Sequence, residues 1–379
     1  MRRLVALIAV LALTSGSGIL AGTAGAQSDE DAALQDALDD FVSRPGRAPG
    51  AIAVVQRGDD RQVFTAGVAD VDTEEALDVE QHVRAASVAK AFSGAAALAL
   101  VDQGVLTLDD TIAERLPKYA AEWGDVTLGQ LLGHTSGVPD FILNEDAQAA
   151  LKASPGVAPP PDQLVDYVID EPLDFEPGSE YRYSNSDNIL VALMVEAATG
   201  RTYADVLTTE VYDKLGLTRT SLPVGTAMPT PFAHGYDVEG DVPEDVSELL
   251  AAGWAWASGG IVSTPADLNT FVRGYVSGEL FGPRIQEEQR AVDTSGGSEP
   301  PGPGKNAAGL ALFRYTTKCG TMWGHTGNTF GYTQFIAASS GGQNSVVVTV
   351  TQQLGANSGP PLKALRAVER KAVCAALAD

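Results

Sequence analysis

Hydrophobic and polar positions along the chain predict strands at its two ends and helices between them. Apolar residues recur at helical spacing over residues 29–42. Two runs rich in strand-forming residues, 51–56 and 62–68, are separated by a turn-like segment and predict an antiparallel hairpin. The stretch 87–102 is rich in alanine and leucine and contains no proline, so it predicts a buried helix. Further helices are predicted at residues 127–132, 162–169, 188–198, 203–215 and 266–275.

Strand patterns return near the end of the chain. Because strands lie at both ends with helices between them, we expect one antiparallel sheet built from both termini and an inserted all-helical lobe. This is a two-lobed fold of the α/β plus all-α class, and a cleft between the lobes is the natural place for a ligand. The late strands are predicted at residues 309–315, 332–338 and 345–351, followed by a final helix at 362–377.

The first 26 residues differ from the rest of the chain. Two arginines and an apolar run occupy residues 2–13, and small residues occupy 24–26. This pattern predicts a signal peptide, residues 1–26, followed by one domain over residues 27–379. A membrane anchor is disfavoured because the apolar run is about 10 residues long, where a span needs about 20. We therefore expect a secreted protein that is not held in a membrane.

Charge and cysteine content narrow the possible partners. The chain has 49 acidic and 25 basic residues, a net charge of −24, which argues against nucleic acid and anionic membranes because phosphate binding requires clustered Lys and Arg. In an oxidising compartment, Cys319 and Cys374 are expected to form one disulfide between the last helix and the preceding strand region, with two buried thiols as the alternative. No Cys- or His-rich cluster suggests a metal. We expect a monomer without metal or cofactor.

Ser87 and Lys90 are the first candidates for chemistry. Residues three apart share a helix face, so the Lys90 amine is expected beside the Ser87 hydroxyl. A serine needs an adjacent base to attack a carbonyl, and a desolvated lysine with a lowered pKa can be that base. S-x-x-K is a weak pattern, but it occurs once and Lys90 lies in an apolar run, where an unpaired charge is costly.

Tyr183 and Asn185, with a serine between them, form the second candidate group. A tyrosine whose pKa is lowered by a nearby ammonium can shuttle a proton between the serine and the leaving group, and an asparagine amide can hold a substrate carbonyl. The overlapping residues 186–188 read Ser-Asp-Asn, which matches a rival S-D-N motif. We favour the tyrosine register, because Asn188 would otherwise face the site while opening an apolar run.

Residues 325–328, His-Thr-Gly-Asn, form the third candidate group. The glycine lets a substrate backbone approach closely, and His325 and Thr326 can bind a substrate carboxylate. The backbone N–H of Asn328 can complete an oxyanion hole with that of Ser87. His-Thr-Gly alone is more often a plain turn, so its weight comes from its occurrence with the other two groups in this order.

With these three groups, the chain resembles the penicillin-recognising serine hydrolases of the class C β-lactamase and D-alanyl-D-alanine carboxypeptidase superfamily. The segments 131–137, 175–178 and 258–264 also fit, and the resemblance covers residues 30–377. The resemblance is strongest to secreted actinobacterial carboxypeptidases, which also have His-Thr-Gly at the third motif. The resemblance implies a β-lactamase/transpeptidase-like fold and an acyl-enzyme mechanism. It also implies a cleft-wall role for Trp254, although a core tryptophan is the alternative.

One departure concerns the substrate carboxylate. In the carboxypeptidases that the chain resembles, an arginine reaches this group from the position that is Phe313 here, and Arg314 is displaced by one residue to the opposite face of its strand. We therefore expect acyl transfer on a peptide or small-molecule acyl substrate, with a cell-wall D-Ala-D-Ala peptide as the first candidate. An esterase, a β-lactamase or a non-catalytic penicillin-binding module are the alternatives.

Overall fold

Strands from both ends of the chain form one seven-stranded antiparallel sheet, as predicted. The computed structural model describes residues 29–293 and 295–378, and the predicted signal peptide lies outside the described residues. The strands are β1 (Gly50–Arg57), β2 (Asp60–Gly67), β3 (Lys305–Ala308), β4 (Phe313–Thr317), β5 (Gly320–Thr329), β6 (Tyr332–Ala338) and β7 (Asn344–Val350). Their order across the sheet is β2-β1-β7-β6-β5-β4-β3.

Helices cover both faces of this sheet and build a separate helical lobe. The long helices are α1 (Asp29–Val42), α2 (Ala89–Asp102), α3 (Asn185–Thr199), α4 (Pro265–Ser277) and α5 (Pro360–Ala376). Helices α1 and α5 pack together on one face of the sheet, and α4 packs on the other. Shorter helices are Ile112–Arg115, Ala120–Trp123, Leu128–Leu132, Glu145–Ala153, Pro161–Asp166, Tyr203–Leu207, Asp213–Leu215, Trp256–Gly259 and Pro283–Gln289.

Helix α2 lies at the centre of the molecule. All of its residues except Asp102 are buried, as expected for a helix that is apolar on every side. Its Phe92 stacks on Phe271 of α4 with ring centroids 3.6 Å apart, and it also packs against α3 of the helical lobe. A polar side chain on α2 therefore has to find its partners inside the protein.

The predicted strand over residues 309–315 is wrong in its first half. Residues 309–312 form a turn, in which Ala311 has a φ of +50° and donates its N–H to the carbonyl of Leu132 at 2.8 Å. The strand itself begins at Phe313. Strands β3 and β5 were not predicted, because glycine and proline interrupt the first region and β5 contains three glycines.

The two cysteines form the predicted disulfide. Cys319 lies in the turn between β4 and β5, and its Cα is 5.2 Å from that of Cys374 in α5. The bond ties the last helix to the β4–β5 hairpin. Within residues 29–293 and 295–378, no helix is both long and apolar enough to span a bilayer.

Candidate active site

Ser87 lies in a tight turn immediately before α2. The turn is the 3₁₀ segment Ala86–Val88, and Ala86 has a φ of +53°, a left-handed conformation that costs energy for a residue with a side chain. Strand β5 presses against this turn, since a Cβ on Gly327 would lie 2.6 Å from the Ser87 nitrogen. Glycine at 327 therefore allows the strand to reach the serine.

Lys90 lies one turn further along, as predicted, and its amine is fully buried. Its Nζ is 3.1 Å from Ser87 Oγ, 2.8 Å from Asn185 Oδ1 and 2.8 Å from the carbonyl oxygen of Ser258. The amide and carbonyl oxygens can only accept hydrogen bonds, so they take two N–H groups. A neutral amine then keeps one lone pair, and the remaining neighbour is the Ser87 hydroxyl, which can donate to it.

Burial decides the charge of this lysine. Desolvation lowers the pKa of Lys90 to about 7, although the carboxylates of Asp140, Asp187 and Glu299 oppose the shift. A substantial neutral fraction therefore exists near neutral pH. The geometry and the pKa together make Lys90 able to accept a proton from Ser87.

Tyr183 completes the group around the serine. Lys90 Nζ lies 4.8 Å from the centre of the Tyr183 ring, and the buried Tyr183 hydroxyl has no hydrogen-bond partner within the described part of the chain. Burial raises the pKa of Tyr183 well above its usual value, and the nearby Ser87 hydroxyl opposes only part of that rise. The lowered tyrosine pKa expected from the sequence is therefore not present, and Tyr183 holds its proton.

Asn185 begins α3 and links Lys90 to a carboxylate. Its Oδ1 accepts from Lys90, and its Nδ2 donates to Asp140 Oδ2 at 2.9 Å. Burial raises the pKa of Asp140, and the hydrogen bonds from Asn185 and Ile142 oppose that rise. Lys90 thus fixes the oxygen of the Asn185 amide, and Asp140 fixes its nitrogen. Together they determine the orientation of this side chain.

The side chains of the rival motif, residues 186–188, point elsewhere. Ser186 Oγ donates to the carbonyl of Pro139 at 2.7 Å, and Asn188 Nδ2 donates to Ser93 Oγ at 2.8 Å. Asp187 accepts from His134 at 2.7 Å and from Ser136 at 2.5 Å. These residues hold the start of α3 in place, and the geometry favours the tyrosine register.

A cavity of about 550 Å³ opens in front of Ser87. Of the residues selected from the sequence, Ser87, Tyr183, Asn185, Trp254 and Asn328 line it. Trp254 lines the cavity and is also part of the core. It is 4% exposed, and its indole N–H donates to the carbonyl of Ser154 at 3.1 Å. Asn328 reaches the cavity with its side chain tied back to the carbonyl of Leu354 at 2.9 Å.

His325 and Thr326 are buried behind this cavity and do not line it. Thr326 Oγ1 donates to the carbonyl of Pro300 at 2.6 Å, so the segment around Pro300 covers it. His325 donates from Nδ1 to the carbonyl of Thr326 at 2.5 Å, and burial lowers its pKa to about 3, so the ring is neutral at pH 7. Neither side chain supplies a charge to the cavity.

Phe313 and Arg314, the strand residues considered for carboxylate binding, do not line the cavity either. Phe313 is 1% exposed and packs edge-on against His325. Arg314 lies over the ring of Trp323, 5.9 Å from its centre, and is not among the cavity-lining residues. The arginine thus stacks on a neighbouring strand instead of facing Ser87.

Sequence reasoning missed three groups at the site. Asp140 and Glu299 line the cavity, and the carbonyl of Ser258 binds Lys90. Ser258 was inside a segment that fitted the family, 258–264, and Asp140 follows another, 131–137. Glu299 lies in a Pro/Gly-rich loop, where no local pattern indicates which side chain faces a cavity.

Comparison with known proteins gives the family. The sequence profile described as Beta-lactamase matches residues 34–370. The chain belongs to the beta-lactamase family. This membership relates the chain to penicillin-binding proteins.

Curated members similar to this chain are longer than it. Protein flp of Staphylococcus aureus (strain NCTC 8325 / PS 47) is 25% identical over 322 residues, which are 83% of this chain and 61% of that protein. Penicillin-binding protein 4* of Bacillus subtilis (strain 168) is 28% identical over 213 residues, which are 52% of this chain and 45% of that protein. The chain thus spans less than two thirds of the length of these beta-lactamase-family relatives.

Solved structures share the whole fold. A D-stereospecific amidohydrolase from Streptomyces sp. superposes with a TM-score of 0.76 at 28% identity, covering 88% of this chain and 97% of that one. The D-amino acid amidase from Ochrobactrum anthropi SV3 gives a TM-score of 0.79 at 24% identity, covering 92% and 98%. At that identity the second likeness concerns the fold alone. Both support the β-lactamase/transpeptidase-like fold predicted from the sequence.

Proposed function

We propose that this protein hydrolyses amide or ester bonds through an acyl-enzyme on Ser87, with Lys90 as the base. The observation that carries the proposal is the fully buried Lys90 amine 3.1 Å from Ser87 Oγ. A binding module has no need of a desolvated lysine beside a serine, because that lysine costs folding free energy. The arrangement therefore favours catalysis over a non-catalytic penicillin-binding role.

In the first step Ser87 Oγ bonds to the substrate carbonyl carbon and passes its proton to neutral Lys90. The backbone N–H groups of Ser87 and Asn328 are the proposed donors to the oxyanion. As the bond to the leaving group breaks, Tyr183 gives its proton to the leaving nitrogen or oxygen and receives one from the Lys90 ammonium. The products of this step are the Ser87 ester and the free amine or alcohol.

Deacylation reverses the proton transfers with water in place of the amine. Water adds to the ester carbonyl and loses a proton to the Tyr183–Lys90 pair, and Ser87 Oγ leaves and is reprotonated. The carboxylic acid and the original hydroxyl are restored. Asn185 is the proposed residue that orients the acyl chain, and its contacts with Lys90 and Asp140 support this role.

The substrate proposal is an amide or peptide bond at a D-amino acid residue. A D-Ala-D-Ala peptide remains the candidate that the sequence resemblance gives, and the amidohydrolase with 28% identity supports D-residue amides more broadly. The cavity favours the broader class. Of its described lining residues Arg182 is the only cation, and it is paired with Asp174 at 2.7 Å. The cavity therefore offers a terminal carboxylate no unpaired cation.

We further propose that the protein acts outside the cell. The predicted signal peptide and the disulfide between Cys319 and Cys374 support this, since disulfides persist in oxidising compartments. Fractionation of expressing cells tests it. The protein should be recovered from the medium without its first 26 residues, whereas full-length protein in the cytosol would contradict export.

Intact-mass spectrometry over time tests the proposed reaction. The protein is mixed separately with benzylpenicillin, an acyl-D-Ala-D-Ala peptide and a D-amino acid amide, and adducts are mapped by peptide digestion. We expect an adduct on Ser87 and none in Ser87→Ala. A lasting penicillin adduct with peptide or amide turnover supports a peptidase or amidase, and rapid loss of the adduct supports a β-lactamase. An adduct on another residue would refute the assignment.

A further inference from the structure

The wall of the cavity in front of Ser87 is acidic. Asp140, Asp174 and Glu299 line it, and Arg182 is the one described cation in the wall, already paired with Asp174. A substrate that enters this cavity therefore meets two carboxylates without a basic partner in the wall. This charge pattern favours a substrate that carries a positive charge and disfavours one that carries a carboxylate.

Of these two carboxylates, Asp140 is already hydrogen-bonded. Its Oδ2 accepts from Asn185 Nδ2 at 2.9 Å, and its Oδ1 accepts from the N–H of Ile142 at 3.2 Å. The Glu299 carboxylate has no hydrogen bond or ion pair with the described part of the chain, and the residue is exposed to the cavity. Glu299 is thus the acceptor that remains available to a ligand.

The residues on either side of Glu299 are anchored, so its position is fixed by the fold. Ser298 and Pro300 are buried, and the carbonyl of Pro300 accepts from Thr326 Oγ1 at 2.6 Å. The carbonyl of Gly297 accepts from Tyr181 Oη at 2.6 Å. Glu299 therefore projects from a backbone held on both sides, which is the arrangement that a specificity residue requires.

The charge of Glu299 reaches the reacting groups. It opposes the lowering of the Lys90 pKa and contributes to the raising of the Tyr183 pKa. Burial and the charge of Asp140 raise the pKa of Glu299 itself, and the buried amine of Lys90 opposes that rise. A cation bound between the two carboxylates would relieve this repulsion.

We propose that Glu299 binds the α-ammonium group of the acyl donor, so that the preferred substrates are amides, esters or peptides of D-amino acids whose amino group is unblocked. The inference rests on the proposed function, in which Ser87 attacks the carbonyl next to the carbon that bears this group. It assigns the protein to amidase or aminopeptidase chemistry. An N-acylated cell-wall peptide lacks the recognised group and adds a repelled carboxylate.

The test compares two chromogenic substrates that differ only in the charge. D-Alanine p-nitroanilide carries the ammonium at about pH 6.5, below the usual α-amino pKa of roughly 7.7–8.0, and N-acetyl-D-alanine p-nitroanilide does not. We expect kcat/KM for the unblocked substrate to exceed that for the acetylated one by about tenfold or more, as a charge-assisted hydrogen bond allows. Glu299→Gln should reduce the ratio to below about threefold.

Glu287→Gln is the matched control, because Glu287 is exposed, lies on the short helix Pro283–Gln289 and is absent from the cavity wall. It removes the same charge and should keep the wild-type ratio. Glu299→Lys should move the preference further, towards an N-succinyl-D-alanine p-nitroanilide that carries a carboxylate. Since each readout is a ratio of two substrates on one protein preparation, partial loss of folded protein does not affect it.

Two failures are distinguishable. A wild-type ratio near one, or a ratio that Glu299→Gln leaves unchanged, overturns the ammonium site while Ser87-dependent hydrolysis stands. Absence of turnover of both substrates, or turnover that persists in Ser87→Ala, overturns the proposed function and this inference with it.

Discussion

Lys90 places a titratable amine inside a buried helix. It is fully buried in α2, and its three hydrogen-bonding neighbours include two oxygens that can only accept. This arrangement accommodates either charge state, but burial brings the pKa to about 7. An ordinary lysine would be protonated at neutral pH and unable to act as a base.

Variants of Tyr183 and Ser186 test whether the Tyr-Ser-Asn motif or the overlapping Ser-Asp-Asn motif takes part in acylation. Tyr183→Phe should slow acylation by roughly a hundredfold or more, because it removes the proposed proton donor to the leaving group. The variant should fold normally, since the Tyr183 hydroxyl has no hydrogen-bond partner among the described residues. Acylation is measured by stopped-flow release of p-nitroaniline.

Ser186→Ala is the comparison variant. Its hydroxyl bonds to the carbonyl of Pro139 and accepts from the N–H of Phe141, so its loss should lower stability and leave the acylation rate near that of the wild type. The opposite ordering, with Ser186→Ala slow and Tyr183→Phe fast, would mean that the S-D-N motif is the working one.

Hydrophobic periodicity predicted the long helices and two of the late strands, 332–338 and 345–351, but it missed β3, β5 and several short helices. The predicted helix over 29–42 agrees with α1, and 87–102 corresponds to the end of the turn Ala86–Val88 followed by α2. Strand β5 carries three glycines, one of which must be glycine because the backbone of Ser87 lies against it. A glycine required by the close packing of β5 against residues 86–88 thus weakened the strand pattern.

The same reasoning explains which parts of the site the sequence could reveal. Ser87 and Lys90 are three residues apart on one helix, so local geometry alone brings them together. Asp140 and Glu299 lie in loops that long-range packing brings to the cavity, and local patterns contain no information about that. Pro300, whose carbonyl accepts from Thr326, lies in the same loop as Glu299. This contact could therefore not be predicted from local sequence either.

A variant of Gly327 tests the contact between β5 and the turn Ala86–Val88. Gly327→Ala places a methyl group 2.6 Å from the Ser87 nitrogen, a distance that the backbone must relieve by moving. We expect at least about a tenfold loss of kcat/KM, as small displacements of catalytic groups cause. Gly225→Ala is the control, because a Cβ there meets no atom within 4 Å. Wild-type kinetics in Gly327→Ala would show that the strand does not position Ser87.

At the scale of the whole molecule, the disulfide joins the β4–β5 hairpin to the final helix and closes a loop with a sequence separation of 55. On the chain-entropy model, loss of the bond in Cys319→Ser should reduce the free energy of unfolding by roughly 2–5 kcal/mol. Urea unfolding monitored by circular dichroism measures this. Two free thiols in the unfolded, unreduced wild-type protein would contradict the bond.

The distribution of charge over the molecule predicts weak selection for a substrate carboxylate. Arg314 stacks on Trp323, His325 is neutral, and the cavity wall is acidic. Any preference for an acyl-D-Ala-D-Ala acid over its methyl ester or amide should therefore be less than about tenfold, since no charge-assisted pair holds the group. Arg314→Ala should barely change kcat/KM for the three substrates. A hundredfold preference that this variant abolishes would identify a strict carboxypeptidase.

The proposed function requires neutral Lys90 to activate Ser87. The rate constant for labelling of Ser87 by an uncharged fluorophosphonate, followed by mass spectrometry from about pH 5 to about pH 10, reports this activation. Because the base must be unprotonated, the rate should rise with pH, with a midpoint near the Lys90 pKa of about 7, and then level off. Lys90→Ala should lower the plateau by roughly a hundredfold or more and remove the midpoint. Labelling that persists in Ser87→Ala would show that another residue reacts, and a Lys90→Ala profile that matches the wild type would show that Lys90 is not the base.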